Sequence, residues 1–147
     1  MWRAAFLLFA ISTSIPAVAQ RINQPDNPCA ASASTREMSD CLVLAWEAQD
    51  GKLNTFYGEV LPVLTEDEAK ALREAERIWI RYRDATCDAE KSLYGGGTGG
   101  PPAYLACMEA VTRNRLQELH QIYDWVLRKR RDEVQPKPTP PEPTRVP

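Results

Sequence analysis

The chain has 147 residues, of which 44% are hydrophobic and 26% charged, and carries a formal net charge of -2. That length bounds it to one domain with a modest core, and the apolar share excludes a chain that is disordered throughout. The near balance of charge excludes a nucleic-acid binder that works through a strongly basic surface.

Met1 to Ala19 holds one charge at Arg3, an apolar run from Ala4 to Ile11, and Ala17-Val18-Ala19 before Gln20. This is the pattern of a secretory signal peptide with an A-x-A cleavage site. A membrane anchor needs about 20 uninterrupted apolar residues, and Ser12, Thr13, Ser14 and Pro16 break the run first. With no cysteine just after the cleavage site, no lipid anchor is expected. The mature chain, Gln20 to Pro147, is expected in the periplasm or outside the cell with no membrane span.

Cys29, Cys41, Cys87 and Cys107 imply two disulfides in an exported chain, and three pairings are open. Their spacings of 12, 46 and 20 fit no Cys-x-x-Cys ligand pattern, so neither metal nor cofactor is expected.

Gln20 to Ser32, with Pro25 and Pro28, predicts an irregular lead-in. Ser34 and Glu37 form a capping-box signature that opens a first helix. From Met38 to Leu64 the apolar residues recur at three-and-four spacing. Asp50-Gly51 weakens this helix without breaking its phase, and Pro62 stands near its end. Thr65 and Glu68 repeat the signature, so a second helix follows at once and runs antiparallel. Its expected buried stripe is Ala69, Leu72, Ala75, Trp79, Tyr82 and Thr86, widened by Ile78. It stops at the run Tyr94 to Pro102, rich in glycine and ending in two prolines. That run is no phosphate loop: no strand precedes it and no Gly-Lys-Ser/Thr follows.

A third helix is expected from near Ala103, its apolar face including Tyr104, Met108, Val111, Leu116, Leu119, Ile122, Tyr123, Val126 and Leu127. It is expected to end in Arg128-Lys-Arg-Arg131, a run that suits the negative end of a helix dipole. The last sixteen residues, Asp132 to Pro147, hold six prolines and predict an extended, disordered tail. The predicted fold is all-α: an elongated antiparallel three-helix bundle, residues 34–131, stapled by two disulfides. Cys41, Cys87 and Cys107 then share one pole. Geometry alone does not choose the pairing; we favour Cys29 with Cys41, pinning the lead-in, and Cys87 with Cys107, closing the glycine loop. A closed loop of about 20 residues stabilises by roughly 3 kcal/mol in the chain-entropy model.

Charge is unevenly spread. From Thr35 to Glu68 eight acids face two bases, a local net of -6, while Ala103 to Arg131 carries a local net of +3. Such faces attract one another in a fold, or an acidic face steers a cationic partner. No catalytic group stands out. The single histidine, His120, lies beside Leu116 and Leu119 and reads as half-buried and structural. Arg83 and Asp84 precede Cys87, and Arg113 and Arg115 follow Cys107, so they are expected to converge near the disulfide pole. They read as an ion-pair network, for instance Asp84 with Arg113 or Arg115, or as a docking site. The candidate partner-binding residues are Arg83, Arg113, Arg115, Gly95, Gly96 and Gly97.

Several ordered phrases carry a family likeness: Cys29 to Met38-Ser-Asp-Cys41, Asp50-Gly-Lys-Leu-Asn54 with Tyr57, and Glu76-Arg-Ile-Trp79-Ile-Arg-Tyr-Arg83-Asp-Ala-Thr-Cys87. The glycine run and Cys107-Met with Thr112-Arg113 and Leu116 continue it. Over about residues 29–120 the chain resembles the LprI-type lysozyme inhibitor domain. Ala75-Glu76 stands where Ala-Gln is usual. The resemblance implies a secreted or envelope-associated helical protein and brings no catalytic residues. It also implies a protein partner, a lysozyme or other muramidase whose cleft would be blocked. The competing function is a non-inhibitory envelope interaction or accessory module, suggested by the proline-rich tail and the basic run. An enzyme is not expected, and the oligomeric state is not legible.

Overall fold

The computed structural model describes residues 20–134, with side chains as far as Arg130. The expected signal peptide at 1–19 and the tail from residue 135 onward lie outside the described residues. Within them the chain is helical: α1 (Thr35–Val60), α2 (Glu66–Ser92) and α3 (Gly100–Val134), with short 3-10 turns at Arg21–Asn23 and Leu61–Val63.

Local chemistry sets these limits. Ser34 Oγ accepts the Glu37 amide, while the Glu37 carboxylate reaches past Ser34 to the Ala33 amide at 3.0 Å. Thr65 and Glu68 form the complete reciprocal box, which satisfies two otherwise orphaned donors at the start of α2. Asp50-Gly51 leaves α1 unbroken, since Asn54 donates to Asp50 at 2.8 Å and braces that turn. α1 stops before Pro62, which sits in the following 3-10 turn, where its missing donor costs nothing.

α3 starts three residues earlier than expected. Pro101 and Pro102 fall in its first turn, where no amide has an intrahelical acceptor, and Ala103 already donates to Gly99 at 3.1 Å. α3 also runs beyond the basic residues, because Asp132, Glu133 and Val134 can all continue a helix and the next proline is Pro136.

α3 is the central element. It packs along both α1 and α2, whereas α1 and α2 scarcely approach each other. One core cluster joins Leu53, Phe56 and Val60 of α1 to Leu72 of α2 and to Leu119 and Leu127 of α3. A second surrounds Cys87, Cys107, Met108 and Val111, and a third ties Cys29 to Leu42 and Ala106. Each fully buried apolar side chain stabilises by roughly 1.5–3 kcal/mol. Both favoured disulfides are present, with Cα separations of 5.9 Å for Cys29–Cys41 and 5.4 Å for Cys87–Cys107.

Four residues expected inside are exposed: Ala75, Ile78, Tyr82 and Ile122. A helix with one packed neighbour buries a narrow stripe. α2 packs chiefly on α3, so Ala69, Leu72 and Cys87 suffice as its fully buried residues, and the flank carrying Ala75, Ile78 and Tyr82 faces outward.

Candidate functional site

Trp79 of α2 is the side chain around which the charged residues gather. The Arg83 guanidinium lies 5.1 Å from its ring centroid and that of Arg115 lies 6.0 Å away, distances at which a cation is attracted by the indole face. Arg83 donates to Asp84 at 2.9 Å and lies 3.7 Å from Asp50 of α1, so it bridges the two outer helices. Arg115 donates to Glu76 on α2 at 3.0 Å and to Glu118 on its own helix at 2.9 Å. Burial opposes its charge, yet the hydrogen bonds it donates to Glu76 and Glu118 outweigh that and raise its pKa. Between α1 and α2, Trp79, Arg83, Asp50 and Glu76 border a groove of about 340 Å³, whose wall also includes Tyr57, Arg73 and Arg77.

Arg113 points elsewhere. Residues 113 and 115 are about 200° apart on a helix, so the two cannot face the same neighbour. Arg113 donates to Glu109 at 2.9 Å and to Asp26 in the lead-in at 2.8 Å. The Glu109 hydrogen bond raises its pKa, against burial, with Asp26 adding to the rise. The expected pairing of Asp84 with Arg113 or Arg115 therefore does not form. Each arginine has its own acid, and all three are mostly covered.

Glu109 and Glu76 are the partners that the sequence reading passed over. Glu109 had a signal, its four-residue spacing from Arg113 on one helix. Glu76 had none, because its pairing depends on the register between α2 and α3.

The glycine loop is an ordered projection. Gly95 and Gly96 have φ of 55° and 83°, which only glycine adopts without strain, and they turn the chain off the end of α2. The Tyr94 hydroxyl donates to Gln20 at 2.7 Å, and Gly99 lies so close to the Tyr94 ring that a Cβ there would fall 2.7 Å from it. Gly95, Gly96, Gly97 and Thr98 remain exposed. The start of α1 shares this pole, since Met38 and Leu42 pack with Ala106 and Leu105 at the start of α3. Exposed Glu37 and Asp40 thus stand at the same end as the loop, with exposed Glu47 further along α1.

Against this stapled body, a family model described as lysozyme inhibitor LprI matches residues 27–119. The chain belongs to this family. The LprI match begins just before Cys29 and ends in the middle of α3, so it takes in both disulfides, the Trp79 cluster and the glycine loop. Outside LprI naming, the chain is 28% identical over 134 residues to an uncharacterized protein of Rhizobium meliloti (strain 1021), covering 82% of this chain and 94% of that one. No solved structure matches it.

The LprI match stops just short of His120, which lies in a second groove of about 810 Å³ between α1 and α3. Its ring rests on Phe56 with centroids 3.8 Å apart, and its Nδ1 lies 3.0 Å from Asp124. Among the described residues no helix is long and apolar enough to cross a membrane.

Proposed function

We propose that this protein is a secreted, most simply periplasmic, inhibitor that binds a muramidase and blocks its cleft. The observation that carries the reading is that the matched LprI segment coincides with the disulfide-stapled body. The disulfides also suit an oxidising compartment.

Arg83, Arg113 and Arg115 serve this function from behind. Each is committed to acids of the chain, and together they fix α1, the lead-in and α2 against the rest. The contact itself falls to the exposed loop Gly95, Gly96, Gly97 and Thr98, narrow enough to enter a cleft. Glu37 and Asp40 at the same pole, with Glu47 further along α1, draw in a cationic enzyme, since complementary fields raise encounter rates.

The test is lysis of cell-wall substrate by chicken-type and bacterial muramidases with graded inhibitor. Thr98→Trp, which enlarges the loop tip, is expected to abolish inhibition while leaving helicity intact. Asp40→Lys with Glu47→Lys is expected to slow association about tenfold at low salt. Full inhibition by both variants would reject this pole as the contact.

A further inference from the structure

The face of α2 turned away from α1 carries an apolar stripe that none of the described residues covers. It repeats every three or four residues from Ala71 to Leu93. Ile78, Tyr82 and Leu93 on it are 53%, 56% and 70% exposed, and Ala71, Ala75, Ala85 and Ala89 fill the steps between. On α3, Ile122 and Trp125 are also half exposed or more, on the flank opposite the one that lines the His120 groove. Single exposed hydrophobics need no explanation, but a continuous face of this kind marks an interaction surface.

The spacing states what fits. A repeat of about 3.7 residues keeps the stripe on one face of a nearly straight helix, which can pack lengthwise on another helix, here over roughly 33 Å at 1.5 Å per residue. The order of sizes is small, large, small: two alanines, then Ile78 and Tyr82, then two alanines. We propose that the occupant is a second copy of this chain, with α2 packed antiparallel on the partner's α2 about a two-fold axis between Tyr82 and Ala85. In that register Ile78 and Tyr82 rest on the partner's Ala89 and Ala85, and the reverse contacts follow by symmetry, which fills the seam without voids. The partner's Leu93 then lies level with Glu74, beside Ala71 and Ala75.

Charge favours the same antiparallel orientation. Arg81 and Asp88 occupy one edge of the stripe, each directly before a seam residue. Both are exposed, and neither has an ion pair or side-chain hydrogen bond within the described residues. In that register Arg81 stands level with the partner's Thr86, about 3 Å along the axis from the partner's Asp88 and on the same edge, within reach of its long side chain, and symmetry makes this pair twice. A parallel pairing would set Ile78 and Tyr82 against their own copies and alanines against alanines, leaving gaps between.

The test is sedimentation equilibrium on oxidised protein recovered by export, for the wild type and four variants. The wild type is expected to form a dimer with a dissociation constant in the micromolar range, as a small helix-pair interface gives. Tyr82→Glu is expected to give a monomer of unchanged circular dichroism. Arg81→Asp and Asp88→Arg alone are each expected to weaken the dimer about tenfold through like charges, and the double exchange to restore it. The exchanges alter only exposed residues, so their readout survives any folding defect in Tyr82→Glu. A wild type monomeric at all concentrations overturns the proposal. So does a dimer indifferent to Tyr82→Glu, or a double exchange no tighter than the singles.

Discussion

Arg115 on α3 grips Glu76 on α2 through two guanidinium nitrogens, with both side chains withdrawn to 14% and 12% exposure. The pair joins the two helices just beneath Trp79. Removing one partner leaves a largely buried charge without its counter-ion. Glu76→Ala and Arg115→Ala are therefore each expected to lose about 3 kcal/mol in urea unfolding. Replacing both with methionine is expected to cost much less than either single change, because an apolar pair leaves no charge stranded. Equal losses in single and double variants would contradict this.

The two disulfides are expected to differ in effect. Cys87 and Cys107 are fully buried in the central cluster and link α2 to α3. Replacing both with alanine is expected to remove about 3 kcal/mol of global stability. Cys29–Cys41 fastens a terminal segment that also holds on through Arg21 to Glu90 and Asp26 to Arg113. Its loss is expected to expose the lead-in amides to hydrogen exchange before it lowers global stability appreciably.

Glu68 reports on acid. Its hydrogen bond from Arg130, together with those from Thr65, holds its pKa down from 4.5 to about 2. A carboxylate held low in the folded state stabilises fully above its unfolded value, and that contribution fades as pH falls from about 4.5 through about 2. Glu68→Gln is expected to flatten the stability profile across that window and to lower the melting temperature at neutral pH. An unchanged acid slope would show that the Arg130 contact is not formed in solution.

Thr112 makes the opposite case to Glu76. It is fully buried and its hydroxyl has no hydrogen-bond partner within the described residues. Valine keeps the shape and removes the stranded group, so Thr112→Val is expected to be neutral or to stabilise by about 1 kcal/mol in urea unfolding. A loss of more than about 1 kcal/mol would reveal a bonded hydroxyl.

The sequence was legible where the physics is local. The capping residues Ser34 and Thr65 and the unbroken phase across Asp50-Gly51 depend on neighbours a few positions away, and the favoured disulfides join cysteines only 12 and 20 positions apart. Helix faces were harder to read, because burial depends on how many neighbours a helix has. Tyr82 and Ile122 repeat at core spacing yet lie outside: α2 packs chiefly on α3, which leaves its far flank over, and Ile122 stands on the flank of α3 away from the groove it shares with α1. The candidate site divided the same way. Arg83, Arg113 and Arg115 were recognisable as a charged group near the disulfides, but their separation by acid partner follows from the interhelical register and from the angle between adjacent positions on α3. The glycine loop stood out because Gly95, Gly96 and two prolines within a few residues leave no regular alternative.

The most direct measurement is the rate of cell-wall lysis by chicken-type and bacterial muramidases as oxidised, exported protein is titrated to concentrations on the order of tens of micromolar. The account predicts saturable inhibition of at least one class, with one inhibitor chain per enzyme at saturation. An undiminished lysis rate for both classes, with the disulfides verified intact, would contradict it.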